Sequence, residues 1–329
     1  MGKADVNVNI WLSEKKRFAN LFNGVIYGGR QVILPEDLVE VNSVSSVSVK
    51  NRAGKTKNMK RYRDIIMKWR NQATLVLLAN ESQGKVHYAM PHKVMLYDGM
   101  DYETQIRNNW KNFNDRRKQN KKAGQPLEHY LSRFRKKDRL IPIISLVFYY
   151  GSEPWDGPVD LYDMFQLEGT KEEKEILEKY LPNYKINLVD AERVEDVEKF
   201  SDDLQVILTM LRYRDSKEEL TDYINENKKF FQNVDYETSQ AMKAFLNMKQ
   251  IPGEAEHKEE MVDMCKAIQE MYDDGVKDGI RQGVERGIAA VIRTCRNLNV
   301  SKEDTLNNIQ REYELSKEDA EKYLETYWK

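Results

Sequence analysis

The 329-residue chain is poor in the residues that staple or metallate small folds. It has two cysteines and four histidines. Cys265 and Cys295 are too few for a disulfide framework or a thiolate-rich zinc site. His87 and His92 are five residues apart, off a common helical face. With no other His or Cys cluster at metal-ligand spacing, core or helix-start roles are preferred for them over ligation. No apolar run approaches the roughly 20 residues that span a bilayer. The first residues, Met1-Gly2-Lys3-Ala4-Asp5-Val6, contain no apolar leader segment, and Val6 breaks the myristoylation pattern. A cytoplasmic protein without a membrane partner is expected. The absence of G-x-x-x-x-G-K-[ST] argues against an ATP-driven step, and neither G-x-S-x-G nor H-E-x-x-H occurs.

What is present is charge, unevenly spread. Hydrophobic residues make up 40% and charged residues 33%, and the net charge is −1. Residues 1–150 carry 28 Lys and Arg against 13 Asp and Glu, whereas residues 151–329 carry 25 against 41. The basic residues concentrate in Lys50 to Arg63, Arg107 to Lys122 and Arg133 to Arg139. A polyanion such as DNA is drawn to the first half and repelled by the second. Solvated loop and helix faces would give each single run the same appearance.

Apolar spacing divides the chain further. Residues 12–24 read as a helix (Phe18, Leu21, Phe22), and Tyr27-Gly28-Gly29-Arg30 turns the chain. Val41 to Val49 reads as a strand, Arg52 to Lys60 as a hairpin loop, and Tyr62 to Trp69 as a strand on which Asp64 shares a face with Tyr62 and Ile66. Gln72 to Ala79 is a buried strand running into Glu81. Ala89 to Phe113 is helical, with Pro91 in the first turn. Leu140 to Tyr150 is the most apolar stretch and reads as a central strand, and Tyr184 to Val189 as a shorter one. This order predicts an α/β fold with a mixed sheet.

From about Ala191 the pattern is helical. Glu192 to Arg214 and Lys217 to Gln232 are amphipathic. Gly275, Gly279, Gly283 and Gly287 recur every fourth residue and would form one smooth stripe on a helix. Each glycine costs about 0.8–1 kcal/mol relative to alanine there, so a low-complexity tether is the preferred reading. A helical hairpin closes the chain, with Ser301 and Ser316 each preceding Lys-Glu-Asp as helix-start signals.

The chemistry centres on Asp64 and, 17 residues further on, Glu81-Ser82-Gln83. Two carboxylates on neighbouring antiparallel strands can converge on one divalent cation, with a backbone carbonyl as a third ligand. Asp64, Glu81 and Ser82 are the candidate metal ligands. Asp64, Glu81 and Gln83 are the candidate catalytic residues, with Gln83 orienting water or touching phosphate. Such a pattern suits phosphodiester hydrolysis, which needs an in-line nucleophile and neutralised phosphate oxygens. Taken alone the spacing is a weak motif, because acids near strand ends also serve solubility. Trp155 could stack on a base, but a packed loop anchor is the preferred role.

The wider text is more specific. Tyr62-Arg63-Asp64-Ile65, Glu81-Ser82-Gln83 with His87-Tyr88-Ala89-Met90-Pro91, and Leu140-Ile141-Pro142-Ile143 with Tyr149-Tyr150-Gly151 and Trp155-Asp156-Gly157-Pro158 closely resemble the Rpn family of recombination-promoting nucleases/putative transposases. That family lies in the PD-(D/E)XK nuclease superfamily. The resemblance covers about residues 10–190, and the glycine-every-four tail also resembles the family's C-terminal region. It implies a restriction-endonuclease-like core, Mg²⁺-dependent DNA endonuclease activity (Mn²⁺ able to substitute) and a role in DNA rearrangement. Gln83 where other nucleases carry Lys matches the family's own Glu-x-Gln variant. Asn80-Glu81-Ser82 departs from the Ile-Glu-Asn frequent in members.

The expected organisation is a nuclease domain over 1–190, a helical region over 191–270, and a glycine-stripe helix with a C-terminal hairpin over 271–329. Expected partners are DNA, through Lys57, Lys60, Arg61 and Arg63, and further copies of the chain through the C-terminal helices. The alternative function is a catalytically weak or inactive nucleic-acid-binding or assembly protein that keeps the nuclease fold.

Overall fold

The computed structural model describes residues 3–41, 44–50, 56–62, 65–70, 73–80, 86–119, 131–248 and 261–328, with the backbone alone over 3–5, 44–50, 56–62, 77–80 and 116–119. Two N-terminal helices, α1 (Lys3–Ser13) and α2 (Lys15–Tyr27), precede the sheet. Glu14 caps α2 by accepting from the amides of Lys16 and Arg17, and Gly28 ends it at φ 60°, a left-handed conformation that glycine adopts without steric cost.

Five strands form the main sheet: β1 (Leu38–Glu40), β4 (Ile65–Trp69), β5 (Ala73–Asn80), β6 (Ile143–Tyr149) and β7 (Asn187–Asp190), in the order β1-β4-β5-β6-β7. β4 is antiparallel to both β1 and β5, while β6 is parallel to both β5 and β7. The parallel step from β5 to β6 needs a long crossover, which contains helix α3 (Met90–Gln119). A separate ribbon pairs β2 (Val44–Lys50) with β3 (Thr56–Tyr62).

Alternation along the strands sends residues to two cores. Ile65, Met67, Trp69, Leu75, Leu146 and Phe148 face the larger one. It also holds Trp11, Phe18 and Phe22 of the N-terminal helices and Leu204, Leu208, Phe231, Phe245 and Met264 from the second half of the chain. Ile66, Val76 and Val147 face the other side, against Met90 and Val94 of α3. The expected α/β architecture with helices flanking a mixed sheet is therefore observed.

The later helices are α4 (Lys171–Glu178), α5 (Asp202–Arg212), α6 (Lys217–Glu226), α7 (Lys228–Phe231), α8 (Tyr236–Phe245), α9 (Met264–Asn297), α10 (Lys302–Tyr313) and α11 (Lys317–Tyr327). Arg17 ties α2 to two of them. Its guanidinium donates to Asp203 and to Asp235 (3.2 Å) and lies 5.5 Å from the Trp11 ring. The Trp11 indole donates in turn to the Thr238 hydroxyl (3.0 Å).

Three expectations change. The strand expected over Tyr62 to Trp69 is two strands in different sheets: Tyr62 ends β3, and Ile65 begins β4. The reason is composition. Thr56–Tyr62 is largely polar and basic and cannot enter a sheet covered on both faces, whereas Ile65, Ile66, Met67 and Trp69 are buried. The expected loop over Arg52 to Lys60 is correspondingly shorter, since Thr56 to Lys60 are already strand.

The glycine-rich segment is not a tether but part of α9, a 34-residue helix. Its ends supply what the glycines cost. Asp263 caps the start, Met264, Ala267 and Ile268 are buried in the large core, and Ile288 and Ile292 are buried with Ile309 and Ala320 of the closing hairpin. A helix nucleated at both ends propagates through a weak middle. The closing hairpin agrees with its sequence signals: the Ser301 and Ser316 hydroxyls accept from the amides of Asp304 (3.0 Å) and Asp319 (3.1 Å).

Candidate active site

Strand register defines one end of the sheet. Asn80 at the end of β5 pairs with Tyr149 at the end of β6, which pairs with Asp190 at the end of β7. β4 runs the other way, and its first residue, Ile65, pairs with Leu77. Asp64 is the residue before β4 and Glu81 the residue after β5; β4 starts on the side of the sheet where β5 finishes, opposite Leu77, and β5 runs on to Asn80. Arg63, Asp64, Glu81, Ser82 and Gln83 themselves lie outside the described residues. Lys57, Lys60 and Arg61 belong to β3, opposite Val49, Ser46 and Ser45 of β2. Among the described residues no group of three His, Cys, Asp or Glu could hold a metal ion.

The described surroundings of this end are held by polar clamps that periodicity did not single out. Glu192, two residues past β7, is almost wholly enclosed and accepts from Arg214 (2.6 Å), which is equally buried. Arg214 also donates to the carbonyl of Tyr150 (3.2 Å), and Arg193 donates to the carbonyl of Ser152 (2.8 Å). Together they fix the turn leaving β6 against the segment leaving β7. Burial pushes the Glu192 carboxyl above the usual carboxylate range, with the Arg214 and Arg193 charges pulling it back. Arg214 is the second Arg of the Leu211-Arg212-Tyr213-Arg214 run. Its sequence looks like a solvated helix end, and only its position against Tyr150 buries it.

On the opposite face Asp98 of α3 is buried and accepts hydrogen bonds from the hydroxyls of Ser145 (2.8 Å) and Tyr184. It locks the crossover helix to β6. Its sequence signal was available: Asp98 follows Met90 and Val94 at helical spacing, a carboxylate on an apolar face.

Trp155 takes the packed role. Its indole donates to the Gly157 carbonyl (2.8 Å), and its ring meets that of Tyr149 edge-on at 5.3 Å. His87 precedes α3, and among the described residues its enclosed Nδ1 has no hydrogen-bond partner. Burial, assisted by the Lys93 charge, lowers its pKa from 6.5. The sign follows from linkage: the unfolded chain binds this proton more readily than the folded one. The folded state therefore loses stability as pH falls through the unfolded value. His87→Gln is expected to lose less stability than the parent between pH 7 and pH 5 in urea titrations. Parallel profiles would show that the imidazole is not the responsible group.

A mixed sheet covered by helices on both faces, with a helical C-terminal region, defines an α/β protein. Residues 33–242 match the family described as "Putative transposase, YhgA-like". The match covers more than half of the chain, which belongs to this family. No curated protein and no solved structure matches it at a significant level. Among the described residues no helix is long and apolar enough to cross a membrane.

Proposed function

We propose that this transposase-family protein is a metal-dependent DNA endonuclease of the PD-(D/E)XK type, hydrolysing phosphodiester bonds at the sheet end where β4 begins and β5 finishes. The observation that supports the reading is the antiparallel pairing of β4 with β5, which puts the start of β4, next to Asp64 in sequence, on the side of the sheet where β5 finishes before Glu81. A parallel crossover through α3 then adds β6 beside β5.

The donor chemistry fits a hard divalent cation. Asp64 and Glu81 offer carboxylate oxygens and Ser82 a carbonyl, the ligand types Mg²⁺ prefers, with Mn²⁺ as substitute. When bound, Mg²⁺ supplies charge neutralisation at the phosphate and lowers the pKa of water. Gln83 donates through its amide to orient the attacking water or a phosphate oxygen. It carries no charge, so unlike a lysine it gives no electrostatic help to ionisation. Lys57, Lys60, Arg61 and Arg63 supply cations for the DNA backbone, with Lys57, Lys60 and Arg61 on the β2–β3 ribbon.

The neutral Gln83 also favours a second reading, a cytoplasmic DNA-binding or assembly protein with little or no turnover. Both readings expect salt-sensitive DNA binding, so cleavage separates them. Purified protein is expected to nick supercoiled plasmid with Mg²⁺ or Mn²⁺ and to stop on chelation. Binding without cleavage under either metal would leave the second reading.

A further inference from the structure

The middle of α9 is uncovered between its two packed ends. Val276, Ile280 and Val284 are 51%, 63% and 37% exposed and, four residues apart, form one apolar ridge. The glycine row runs beside it. A Cβ at Gly275, Gly279 or Gly283 would meet nothing within 4 Å, whereas at Gly287 it would meet the Tyr313 hydroxyl at 2.6 Å. The groove is thus already used at one end, where α10 packs into it, and continues open from there.

We propose that this ridge and groove form a docking face for a second copy of the chain, with the two α9 helices antiparallel about Ile280. A ridge of residues four apart fits a groove of the same spacing, the commonest helix-packing geometry. A face carrying both is complementary to itself, as a two-fold interface requires. The ridge-bearing helix is also charge-polarised. Its first part holds Glu270, Asp273, Asp274 and Asp278 against Lys266 and Lys277. The part beyond Ile280 holds Arg281, Arg286, Arg293 and Arg296 against Glu285. Antiparallel pairing sets the acidic part of each helix against the basic part of the other and opposes their dipoles, while parallel pairing sets like against like. The acidic part also disfavours nucleic acid as the occupant. This proposal does not depend on the catalytic reading.

Sedimentation of the full chain over about 1–100 μM, the range in which micromolar association is seen, is expected to give the mass of two chains. Ile280→Glu is expected to give one chain with an unchanged helix content by circular dichroism. Gly279→Leu adds a side chain into open space, keeps the helix and blocks the partner's approach, so it too is expected to be monomeric. Orientation is read by cysteine cross-linking after Cys265→Ser and Cys295→Ser. Val276→Cys copies are expected to link to Val284→Cys copies and not to one another, since antiparallel pairing offsets the two 276 positions by eight residues, roughly 12 Å. A monomeric parent, a dimer that survives both Ile280→Glu and Gly279→Leu, or self-linked Val276→Cys chains would each overturn the proposal.

Discussion

Asp64→Ala and Glu81→Gln are each expected to slow metal-dependent plasmid nicking at least ~10²-fold, roughly 2.7 kcal/mol of barrier. DNA binding should be largely kept. The argument is electrostatic. The proposed set of two carboxylates and one carbonyl is small, and losing a full negative charge from it would weaken the hold on a cation and everything the cation orients. Glu81→Gln nearly preserves volume, so its loss reports charge rather than packing. The cations proposed for DNA binding, Lys57, Lys60, Arg61 and Arg63, are touched by neither substitution. The check is single-turnover nicking at saturating DNA with salt-dependent binding measured alongside. If both variants cut at the parent's rate, the acids are surface residues and the proposed site is wrong.

Arg214→Met is expected to destabilise the protein by about 3–5 kcal/mol, the usual cost of removing one partner from a buried ion pair. Glu192 would remain almost fully enclosed with only Arg193 at 3.0 Å, and Arg193 is itself about a third exposed. That remaining contact places the expected loss toward the lower end. The carbonyls of Tyr150 and Phe245 also lose their guanidinium donor. The double replacement Glu192→Leu with Arg214→Met removes both charges and should recover much of the loss, because an apolar pair of similar volume carries no desolvation penalty. Urea unfolding midpoints decide it. A shift below about 1 kcal/mol for Arg214→Met would mean that the pair is effectively solvated.

The two predictions probe different depths of legibility. The β5 and β6 strands and the α3 crossover could be read directly, because Ala73 to Leu78 and Ile143 to Tyr149 are apolar runs of strand length and Met90, Val94 and Tyr97 repeat at helical spacing. The Ser301 and Ser316 caps were equally plain, since capping is decided within four residues of chain. The division between β3 and β4 was not. Tyr62 and Ile65 sit in one continuous β-prone run, and what separates them is that one strand enters a two-faced sheet and the other does not. The Glu192–Arg214 pair was illegible for a related reason: its partners are 22 residues apart and each looks like an ordinary surface charge.

By itself the sequence determined the order of helices and strands, the family through its ordered motifs, and the acids proposed for chemistry. These are local or near-local properties, set by periodicity, capping and residue type. Tertiary structure alone decided that α9 stays helical through four glycines, because its ends are anchored in two separate cores. It also decided which charges are buried, and that β4 begins at the end of the sheet where β5, β6 and β7 finish. Burial and register depend on what packs across from a residue, and that partner can be anywhere in the chain.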